Sequence, residues 1–576
     1  MIRHGVLGGL IAFGLAAGCG GGNDGTSGQP KPDAGAEAAS DANPGEDGQD
    51  GSVPDAPVDS SADADAPPDA PSADCGTATE CALADEQRAS DKLDALAGDT
   101  LGLQQFLTAV PKGGDLHNHL SGAVYAETYL GWAKTEGGYC ITNSSLALST
   151  SCGNTTTTSP IPAAADALFL QVVKAWSMQD FIAGAETGHD HFFATFGKFG
   201  AISGTAHHAK GLADVMQRAD SENALYVEPM LFSNSTASNV GSTVWTGGTL
   251  NTADLPAFHA ALLAYSGWGA AVQAILTDIQ NTESGAMQTL GCKGASPASA
   301  CRVGARYMVY ISRSGGGPNV FAQMVAAFEA AKAEPRLVAL NLVGPEDGST
   351  ALSSYDREMA MLDYLHTAYA GKSPLHVSLH AGEITAKYLP STYDIATINH
   401  IRKAVEVGHA ERIGHGVDVL GETDPTGLLT ELQQLGVMVE IGLSSNVQIL
   451  EVSGTNHPLA AYLKSGVPVA LATDDQGVSR SSMAGEYLRA VQDQKLDYRT
   501  LKKMARTSLE KSFLPGESLW TSLDPLQSVA ECAPSATSYY GDEPAPVACQ
   551  TTLAGSEKAS MQWELERRFR EFEAKQ

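Results

Sequence analysis

The feature that most constrains the fold is an alternation of short apolar runs with longer stretches of helical periodicity, from about Asp85 to Lys511. Eight of the runs have the length and the β-branched or apolar content of strands. They are Gly113–His117, Leu225–Met230, Arg306–Ile311, Leu337–Val343, Leu375–His380, Arg412–His415, Val437–Ile441 and Val467–Ala472. Strands that are each followed by helical sequence are typical of α/β proteins with a parallel sheet, and eight such units predict a (β/α)8 TIM barrel.

Helix-like segments separate these strands, and several of them end at glycine, as helix C-termini often do. The clearest are Phe321–Ala333, Tyr355–Tyr369, Thr392–Val407 and Leu428–Leu435. Three stretches break the alternation, near residues 135–162, 233–254 and 285–304, and we interpret them as insertions. We therefore expect residues 75–576 to form one enlarged barrel domain with additional N- and C-terminal helices.

Residues 1–18 have the pattern of an export signal, with Arg3 followed by the apolar stretch Gly5–Ala17 and then small residues. The sequence Leu15-Ala16-Ala17-Gly18-Cys19 is similar to bacterial lipoprotein signals, which predicts lipidation of Cys19. The alternative is an ordinary cleaved signal. We expect an exported cell-envelope lipoprotein that is held to the membrane only through this lipid. The residue after the cysteine, Gly20, is not an aspartate, which favours the outer membrane.

Residues 19–74 are predicted to be a disordered linker. From Gly20 onward they contain no aromatic residue, leucine, isoleucine or methionine, and so cannot bury a core. Thirteen acidic residues against the single Lys31 supply −12 of the formal net charge of −30. The remaining acidity is moderate, and a nucleic-acid partner bound through a basic face is disfavoured. Oligomeric state is not indicated by the sequence.

The chain has nine cysteines, and removing Cys19 leaves an even number in an exported protein, which favours disulfides. Proximity along the chain suggests one economical set of pairs, each closing a short loop outside the periodic segments. The pairs are Cys75–Cys81, Cys140–Cys152, Cys292–Cys301 and Cys532–Cys549. Zinc ribbons are the competing interpretation, but no C-x-x-C pair occurs.

Histidines and acids stand where four of the predicted strands end, which is where this fold places its chemistry. They are His117 and His119 in the first strand, His380 and Glu383 after the fifth, His415 after the sixth, and Asp474 and Asp475 after the eighth. Alternate residues of a strand share a face, so His117 and His119 can grip one ion. The sequence predicts a metal site at this rim.

Three imidazoles and one carboxylate without a thiolate suit zinc and related divalent ions. We expect His117, His119, His380 and Asp474 to hold one zinc ion, which would lower the pKa of a bound water to about 7. His415, Glu383 and Asp475 then remain free for proton transfer.

Five segments, in this order and spacing, resemble the adenosine deaminase family over roughly Lys112 to Pro515. They are Pro111–His119, His380-Ala381-Gly382-Glu383, Arg412-Ile413-Gly414-His415-Gly416, Ser444-Ser445-Asn446 and Thr473-Asp474-Asp475. The resemblance implies a zinc-dependent hydrolase that replaces the 6-amino group of adenosine or 2′-deoxyadenosine with oxygen and releases ammonia. It also implies that Glu383 protonates purine N1 and that His415 orients or deprotonates the attacking water. Asp475 would hydrogen-bond N7, Gly344 would donate from its backbone toward N3, and His119 and Ser121 would lie beside the substrate.

The sugar end departs from the family pattern. The usual H-L-D-G after the first metal pair is His119-Leu120-Ser121-Gly122 here, so the acid that meets a 5′-hydroxyl is replaced by a neutral serine. The substrate alternatives are therefore another 6-aminopurine nucleoside or nucleotide, such as N6-methyl-AMP or 5′-methylthioadenosine. A nucleoside-binding surface lipoprotein without turnover is the third hypothesis. A two-metal amidohydrolase with a carboxylated lysine is disfavoured, because no lysine closes the fourth strand.

Several other polar residues invite structural interpretations. The Ser444–Asn446 segment is expected to shape the loop after the seventh strand, and His457, before a proline, to organise a turn. Arg313 is expected to pair with an acid, for which Glu228 is a candidate.

Overall fold

The structure, a computed structural model, describes residues 75–231 and 235–576. At its centre stand eight strands, numbered in chain order. They are β1 (Gly114–His119), β2 (Tyr226–Leu231), β3 (Tyr307–Ser312), β4 (Leu337–Val343), β5 (His376–Ala381), β6 (Arg412–His415), β7 (Met438–Ile441) and β8 (Val469–Leu471). Each predicted strand is present, with its ends displaced by at most two residues.

These strands pair in sequence order, and every pair between neighbours is parallel. A bridge between Asn118 and Asp474 joins β1 to the segment after β8. There the Asp474 N–H donates to the His117 carbonyl oxygen at 2.9 Å, and the His119 N–H donates to the Asp474 carbonyl oxygen at 3.2 Å. The sheet is thus closed, which confirms the predicted TIM barrel, and all eight carboxyl ends open at one rim.

The barrel strands are buried on both faces, since helices cover the outside and side chains fill the interior. In β4 every residue from Leu337 to Leu342 is buried. Helix Gly317–Ala331 is itself buried on nearly all sides, because helix Ser235–Val244 packs across it. Gly241 allows this close approach, since a Cβ there would overlap the Pro318 carbonyl oxygen.

Helices precede, connect and follow the strands. In chain order they are Ala78–Ala95, Thr100–Ala109, Leu120–Ala123, Ala126–Glu136, Ala167–Ala175, Gly188–Phe199, His208–Ser221, Ser235–Val244, Leu255–Ala264, Trp268–Thr289, Gly317–Ala331, Ser349–Tyr369, Ile395–Ile398, His400–Glu406, Pro425–Leu435, Leu443–Leu450, Leu459–Lys464, Gln476–Ser479, Met483–Gln492, Tyr498–Glu510, Val547–Gly555 and Glu557–Glu573. Short 3₁₀ turns lie at Thr252–Asp254, Ser299–Arg302, Gly454–Asn456 and Ala530–Cys532. The additional helices expected at both ends of the barrel are present.

One predicted helix, Thr392–Val407, is broken in the structure into Ile395–Ile398 and His400–Glu406. Asn399 stands between them with a left-handed backbone (φ 48°). The break turns His400 inward, where its Nδ1 lies 2.6 Å from a carboxylate oxygen of the buried Glu346. Periodicity alone does not predict this interruption, which accompanies a tertiary contact of His400.

The stretches interpreted as insertions carry structure of their own. Strands Cys140–Thr142, Leu148–Ser149 and Thr158–Pro160 form a small antiparallel sheet within residues 135–162. The described part of 233–254 forms helix Ser235–Val244 and the turn Thr252–Asp254. Residues 285–304 contain the end of helix Trp268–Thr289 and a 3₁₀ turn. They lead into the short segment Gly304–Ala305, which pairs with β2. A separate hairpin, Trp520–Leu523 with Leu526–Ser528, precedes the last helices.

Four disulfides connect the eight cysteines of the described residues in the pairing that chain proximity suggests. They join Cys75 to Cys81, Cys140 to Cys152, Cys292 to Cys301 and Cys532 to Cys549. The last lies in a small apolar cluster with Leu519, Trp520 and Trp563, beside the barrel. The cross-links therefore stabilise the segments added around the barrel rather than its eight strands.

The predicted signal (1–18), the lipidated Cys19 and the linker (19–74) lie outside the described residues. Within residues 75–231 and 235–576, no single helix has the length and apolar character needed to cross a membrane. The pair Thr252–Ala264 and Trp268–Thr289 meets those requirements only together, with a bend of 79° between its members.

Candidate active site

The predicted metal ligands lie together at the carboxyl rim of the barrel. The Nε2 atoms of His117 and His119 are each 3.1 Å from Nε2 of His380. Oδ1 of Asp474 lies 3.6 Å from Nε2 of His117 and 3.4 Å from Nε2 of His119. A tetrahedral ion with ligands at 2.0–2.1 Å separates its ligand atoms by about 3.3 Å. These four separations are close to that spacing, and His415 also offers a ligand atom to the cluster of His117, His380 and Asp474.

Neighbouring side chains orient two of these imidazoles for coordination. Nδ1 of His117 is 2.7 Å from Oε2 of Glu440, and Nδ1 of His380 is 2.7 Å from Oδ1 of Asn341. Because both acceptors are oxygens, each Nδ1 must carry the hydrogen, and each Nε2 presents its lone pair. This is the tautomer that a metal-binding histidine needs.

Burial keeps these rings neutral. It lowers the pKa of His117 to about 3, with the nearby positive charge of Arg412 as a further cause. Burial also lowers the pKa values of His119 and His380 well below the usual range, and the surrounding imidazoles add to the effect. Neutral imidazoles are the form that binds metal ions.

Asp474 is held in place by its backbone and by the residue before it. It has a left-handed backbone (φ 57°), an unusual conformation that the pairing with β1 enforces. The hydroxyl of Thr473 donates to Oδ2 of the buried Asp115 at 2.5 Å, and the Thr473 N–H donates to Oδ1 of the same residue at 3.2 Å. Asp115, on β1, thereby ties the end of β8 to the strand that carries His117 and His119.

Glu383 lies beside the cluster on a backbone clamped by another carboxylate. Glu346 accepts hydrogen bonds from the N–H of Gly382 at 3.0 Å and from the N–H of Glu383 at 2.8 Å. Burial alone would raise the pKa of Glu346, but its hydrogen bond with His400 and the nearby charges lower it to about 2. Glu346 is therefore an anion that fixes the position of Glu383.

The Glu383 carboxyl itself is in a setting that favours protonation. Burial raises its pKa well above the usual range, and the negative charges of Asp474, Glu346 and Asp347 add to this. Its Oε1 lies 3.6 Å from Nε2 of His415, a buried ring with a left-handed backbone (φ 69°) at the end of β6. Burial lowers the pKa of His415 as well. A protonated carboxyl and a neutral imidazole thus face the same space.

The remaining predicted site residues line the same rim. Asp475 is buried and points at Gly122, where a Cβ would overlap its Oδ1. Burial raises its pKa, as do the negative charges of Asp474 and Glu383. Ser121 lies in the helix that follows β1 and is partly exposed, and Gly344 follows β4 with a φ of 127°.

The expected pairing of Arg313 with Glu228 is wrong. Glu228 forms an ion pair with Arg412 at 2.6 Å, and Arg412 also contacts Oε1 of Glu440 at 2.7 Å. Arg313 instead donates to the carbonyl oxygens of Leu342 and His380, at the ends of β4 and β5. Arg412 and Glu228 are both fully buried on barrel strands, and chain order does not reveal that their side chains meet.

Sequence reasoning missed the residues that support the site. Glu440, Asn341 and Glu346 are buried, and each contacts a site residue or its backbone. The buried His400 contacts Glu346 in turn. Glu440 and Asn341 are polar residues within otherwise apolar strands, and that interruption was the available signal. Polar residues inside buried strands require partners, so such positions point to a site.

Comparison with known proteins agrees with this arrangement. The family model described as "Adenosine deaminase" matches residues 269–527, which include β3 to β8 and the predicted ligands His380 and Asp474. Residues 269–527 of the chain are therefore similar to the adenosine deaminase family. The curated adenosine deaminase of Serratia proteamaculans (strain 568) is 31% identical over 177 residues, 30% of this chain and 49% of the relative. That of Escherichia coli O1:K1 / APEC is 30% identical over 186 residues, 32% of this chain and 48% of the relative.

The chain spans about half the length of these curated adenosine deaminases in the aligned regions. Among solved structures, the N6-mAMP deaminase of Arabidopsis is 18% identical with a TM-score of 0.44, covering 71% of this chain and 96% of the other. The adenine deaminase of Arthrobacter aurescens is 16% identical with a TM-score of 0.44, covering 70% and 95%. The similarity to adenosine deaminases rests on the family model and the curated relatives.

Proposed function

We propose that the protein is a zinc-dependent hydrolase that deaminates adenosine or 2′-deoxyadenosine to the corresponding inosine and releases ammonia. One observation carries the proposal: three histidine Nε2 atoms and the Asp474 carboxylate converge beside the buried Glu383 carboxyl. Metal ligands alone would be compatible with many hydrolases. A carboxyl with a raised pKa beside them suits the protonation of an aromatic nitrogen.

The donor set fits a zinc ion held by His117, His119, His380 and Asp474. Three neutral imidazoles and one carboxylate without a thiolate are ligands that zinc accepts. Zinc bound there would act as a Lewis acid and lower the pKa of water, so that hydroxide is available as the nucleophile at neutral pH. Glu440 and Asn341 would keep two of the imidazoles in the required tautomer.

The remaining residues supply proton transfer and orientation. Adding water to purine C6 builds negative charge on N1, and a protonated Glu383 can neutralise it by donating its proton there. Asp475, whose pKa burial also raises, can donate to N7, and the backbone of Gly344 can donate toward N3. Nε2 of His415 has no hydrogen-bond partner among the described residues, which leaves it available to the attacking water.

A phosphorylated or otherwise modified 5′ end is the second candidate. Ser121 is neutral and partly exposed at the position where the family pattern has an acid. A carboxylate there would repel a 5′-phosphate, whereas a serine does not. N6-methyl-AMP and 5′-methylthioadenosine are therefore the alternative substrates to test.

The test is a substrate panel with the purified full chain loaded with zinc. Ammonia release is followed with adenosine, 2′-deoxyadenosine, AMP, N6-methyl-AMP and 5′-methylthioadenosine. We expect turnover of at least one of them, and no turnover of any with zinc bound would contradict the proposal. A preference for the nucleotides would select the second candidate.

The matched variants are Glu383→Gln and Glu358→Gln. Both remove a buried carboxyl whose pKa is raised, but Glu358 lies on the outer helix Ser349–Tyr369. We expect Glu383→Gln to bind zinc normally and to lose kcat by roughly 100-fold or more, the usual range for a general acid. Glu358→Gln should retain the wild-type rate. Equal kcat values for the two variants would show that Glu383 is not the proton donor to purine N1.

We also propose that the protein is exported and anchored through a lipid on Cys19. The four disulfides support an oxidising compartment, since such cross-links persist outside the cytosol. The lipoprotein-like sequence around Cys19 supports the anchor.

A further inference from the structure

A chain of three buried side chains leads from the loop after β7 to His415. The N–H of Leu459 donates to Nδ1 of His457 at 3.1 Å, and Nε2 of His457 lies 3.0 Å from Oδ1 of Asn446. Nδ2 of Asn446 lies 3.0 Å from Nδ1 of His415. His415, Asn446 and His457 are exposed by 1%, 0% and 2%. With so little exposure, their hydrogen bonds must be satisfied within the chain.

The direction of every hydrogen bond in this relay follows from its first donor. A backbone N–H can only donate, so Nδ1 of His457 accepts and the hydrogen of this neutral ring lies on Nε2. That hydrogen must point at an oxygen, which orients Asn446 with its Oδ1 toward His457 and its Nδ2 toward His415. Turning the amide over would bring two N–H groups face to face. Nδ1 of His415 therefore accepts, and neutral His415 carries its hydrogen on Nε2.

The local fold explains why the first donor is reliable. Leu459 is the first residue of helix Leu459–Lys464, and the N–H groups of a first helical turn have no partner within the helix. Pro458 precedes it, so the chain enters the helix directly after His457. Burial also lowers the pKa of His457, to about 4, which keeps that ring neutral.

We propose that Asn446 and His457 are positioning residues that fix His415 as a hydrogen-bond donor through Nε2. This inference rests on the proposed deaminase function only for its catalytic consequence. Since Nε2 already carries a hydrogen, it donates to the attacking water and orients it. It cannot receive the proton that this water loses. Of the two roles that the family resemblance leaves open for His415, the relay selects orientation.

The relay corrects the interpretation of two sequence segments. Asn446 does not merely shape the loop after β7, and His457 does more than organise a turn, because both contact the ring that faces Glu383 through its other nitrogen. Ser444 fits the loop interpretation, whereas Ser445 also hydrogen-bonds the predicted ligand Asp474. The hydroxyl of Ser445 donates to the Gly442 carbonyl oxygen at 3.1 Å, and the N–H of Ser444 donates to Glu486 at 3.1 Å.

Nitrogen NMR of the full chain labelled with [15N]histidine tests the tautomer directly. The metal-free protein is used, and the His415 signals are assigned by their loss in His415→Gln. We expect a protonated Nε2 and a bare Nδ1 in the wild type. Asn446→Asp replaces the amide donor by a second acceptor, so His415 should then carry its hydrogen on Nδ1. A wild-type His415 protonated on Nδ1, or an unchanged tautomer in Asn446→Asp, would overturn the proposal.

Kinetics tests the consequence in the zinc-loaded protein. Loss of an outer partner of this kind lowers activity by about 10- to 100-fold. We expect this loss in kcat, with little change in KM or bound zinc, for Asn446→Asp and His457→Phe. His457→Gln, which keeps an N–H near the position of Nε2, should recover most of the rate. Wild-type kcat in Asn446→Asp would refute the catalytic consequence.

The two measurements separate this proposal from the function on which its consequence rests. If no substrate is turned over but the tautomers are as expected, the relay stands and the deaminase function fails. If His457→Phe does not fold, the wild-type tautomer and Asn446→Asp still decide the question.

Discussion

Replacing Glu440 by glutamine should separate the two tasks of this buried carboxylate. One oxygen, Oε2, accepts from Nδ1 of His117 at 2.7 Å. The other, Oε1, contacts Nε of Arg412 at 2.7 Å and accepts from the hydroxyl of Ser378 at 3.1 Å. A carboxylate can accept from all three, whereas an amide has one oxygen and an NH2 group. Glutamine therefore cannot satisfy both ends of the site.

The relative strength of the contacts decides how the amide turns. A hydrogen bond to a charged group contributes about 1.5–3 kcal/mol, against about 0.5–1.5 kcal/mol for a neutral one. The single oxygen should thus face the buried guanidinium of Arg412, and the NH2 group should face Nδ1 of His117. That contact forces the His117 hydrogen onto Nε2, where the metal must bind. We expect Glu440→Gln to weaken metal binding by about 10- to 100-fold.

Glu228→Gln is the matched control. It also removes a carboxylate that pairs with Arg412, but Glu228 does not contact a predicted metal ligand among the described residues. Breaking a buried ion pair costs about 3–5 kcal/mol, and both variants should lose stability toward the lower end, since Arg412 keeps one carboxylate in each. Metal affinity is measured by titration against a zinc buffer, and stability by urea denaturation of the metal-free proteins. Wild-type affinity in Glu440→Gln, or an equal loss in Glu228→Gln, would refute the reasoning.

Two further predictions concern stability and location. Glu358 is buried without a hydrogen-bond partner among the described residues, and burial raises its pKa from 4.5 to about 7. Between these pH values the folded protein retains a proton that the unfolded chain has lost, so this residue's contribution to stability falls as the pH rises. As the pH is raised from 4 to 8, the free energy of unfolding of Glu358→Gln, measured by urea denaturation, should therefore increase by about 3 kcal/mol relative to that of the wild type. A difference between the two proteins that does not change with pH would contradict this prediction. Cys19→Ala should release the protein from the membrane fraction on cell fractionation, and unchanged membrane retention would exclude the lipid anchor.

The barrel strands were predictable because their signal is local. A parallel strand buried on both faces is mostly apolar, so β4 and β7 appear directly as runs such as Leu337–Val343, each interrupted by one polar residue. The site residues follow from the fold, since His117, His380 and Asp474 stand at strand ends that a closed barrel brings to one rim. The broken helix at Asn399 was not predictable in this way, because it depends on the contact between His400 and Glu346.

Sequence reasoning missed the residues that hydrogen-bond the imidazole nitrogens facing away from the site. Glu440 sits in the middle of an apolar strand, and nothing in its neighbours along the chain indicates that it faces both His117 and Arg412. His457 is separated from Asn446 by a turn and from His415 by the whole of β7. Their function depends on the direction of hydrogen bonds between elements, and a sequence records residue types but not directions. We therefore expect the chemistry of this rim to depend on two groups of residues. The first is the predicted ligands, which stand at strand ends along the chain, and the second is the buried polar partners, whose hydrogen bonds determine which nitrogen of each imidazole is protonated.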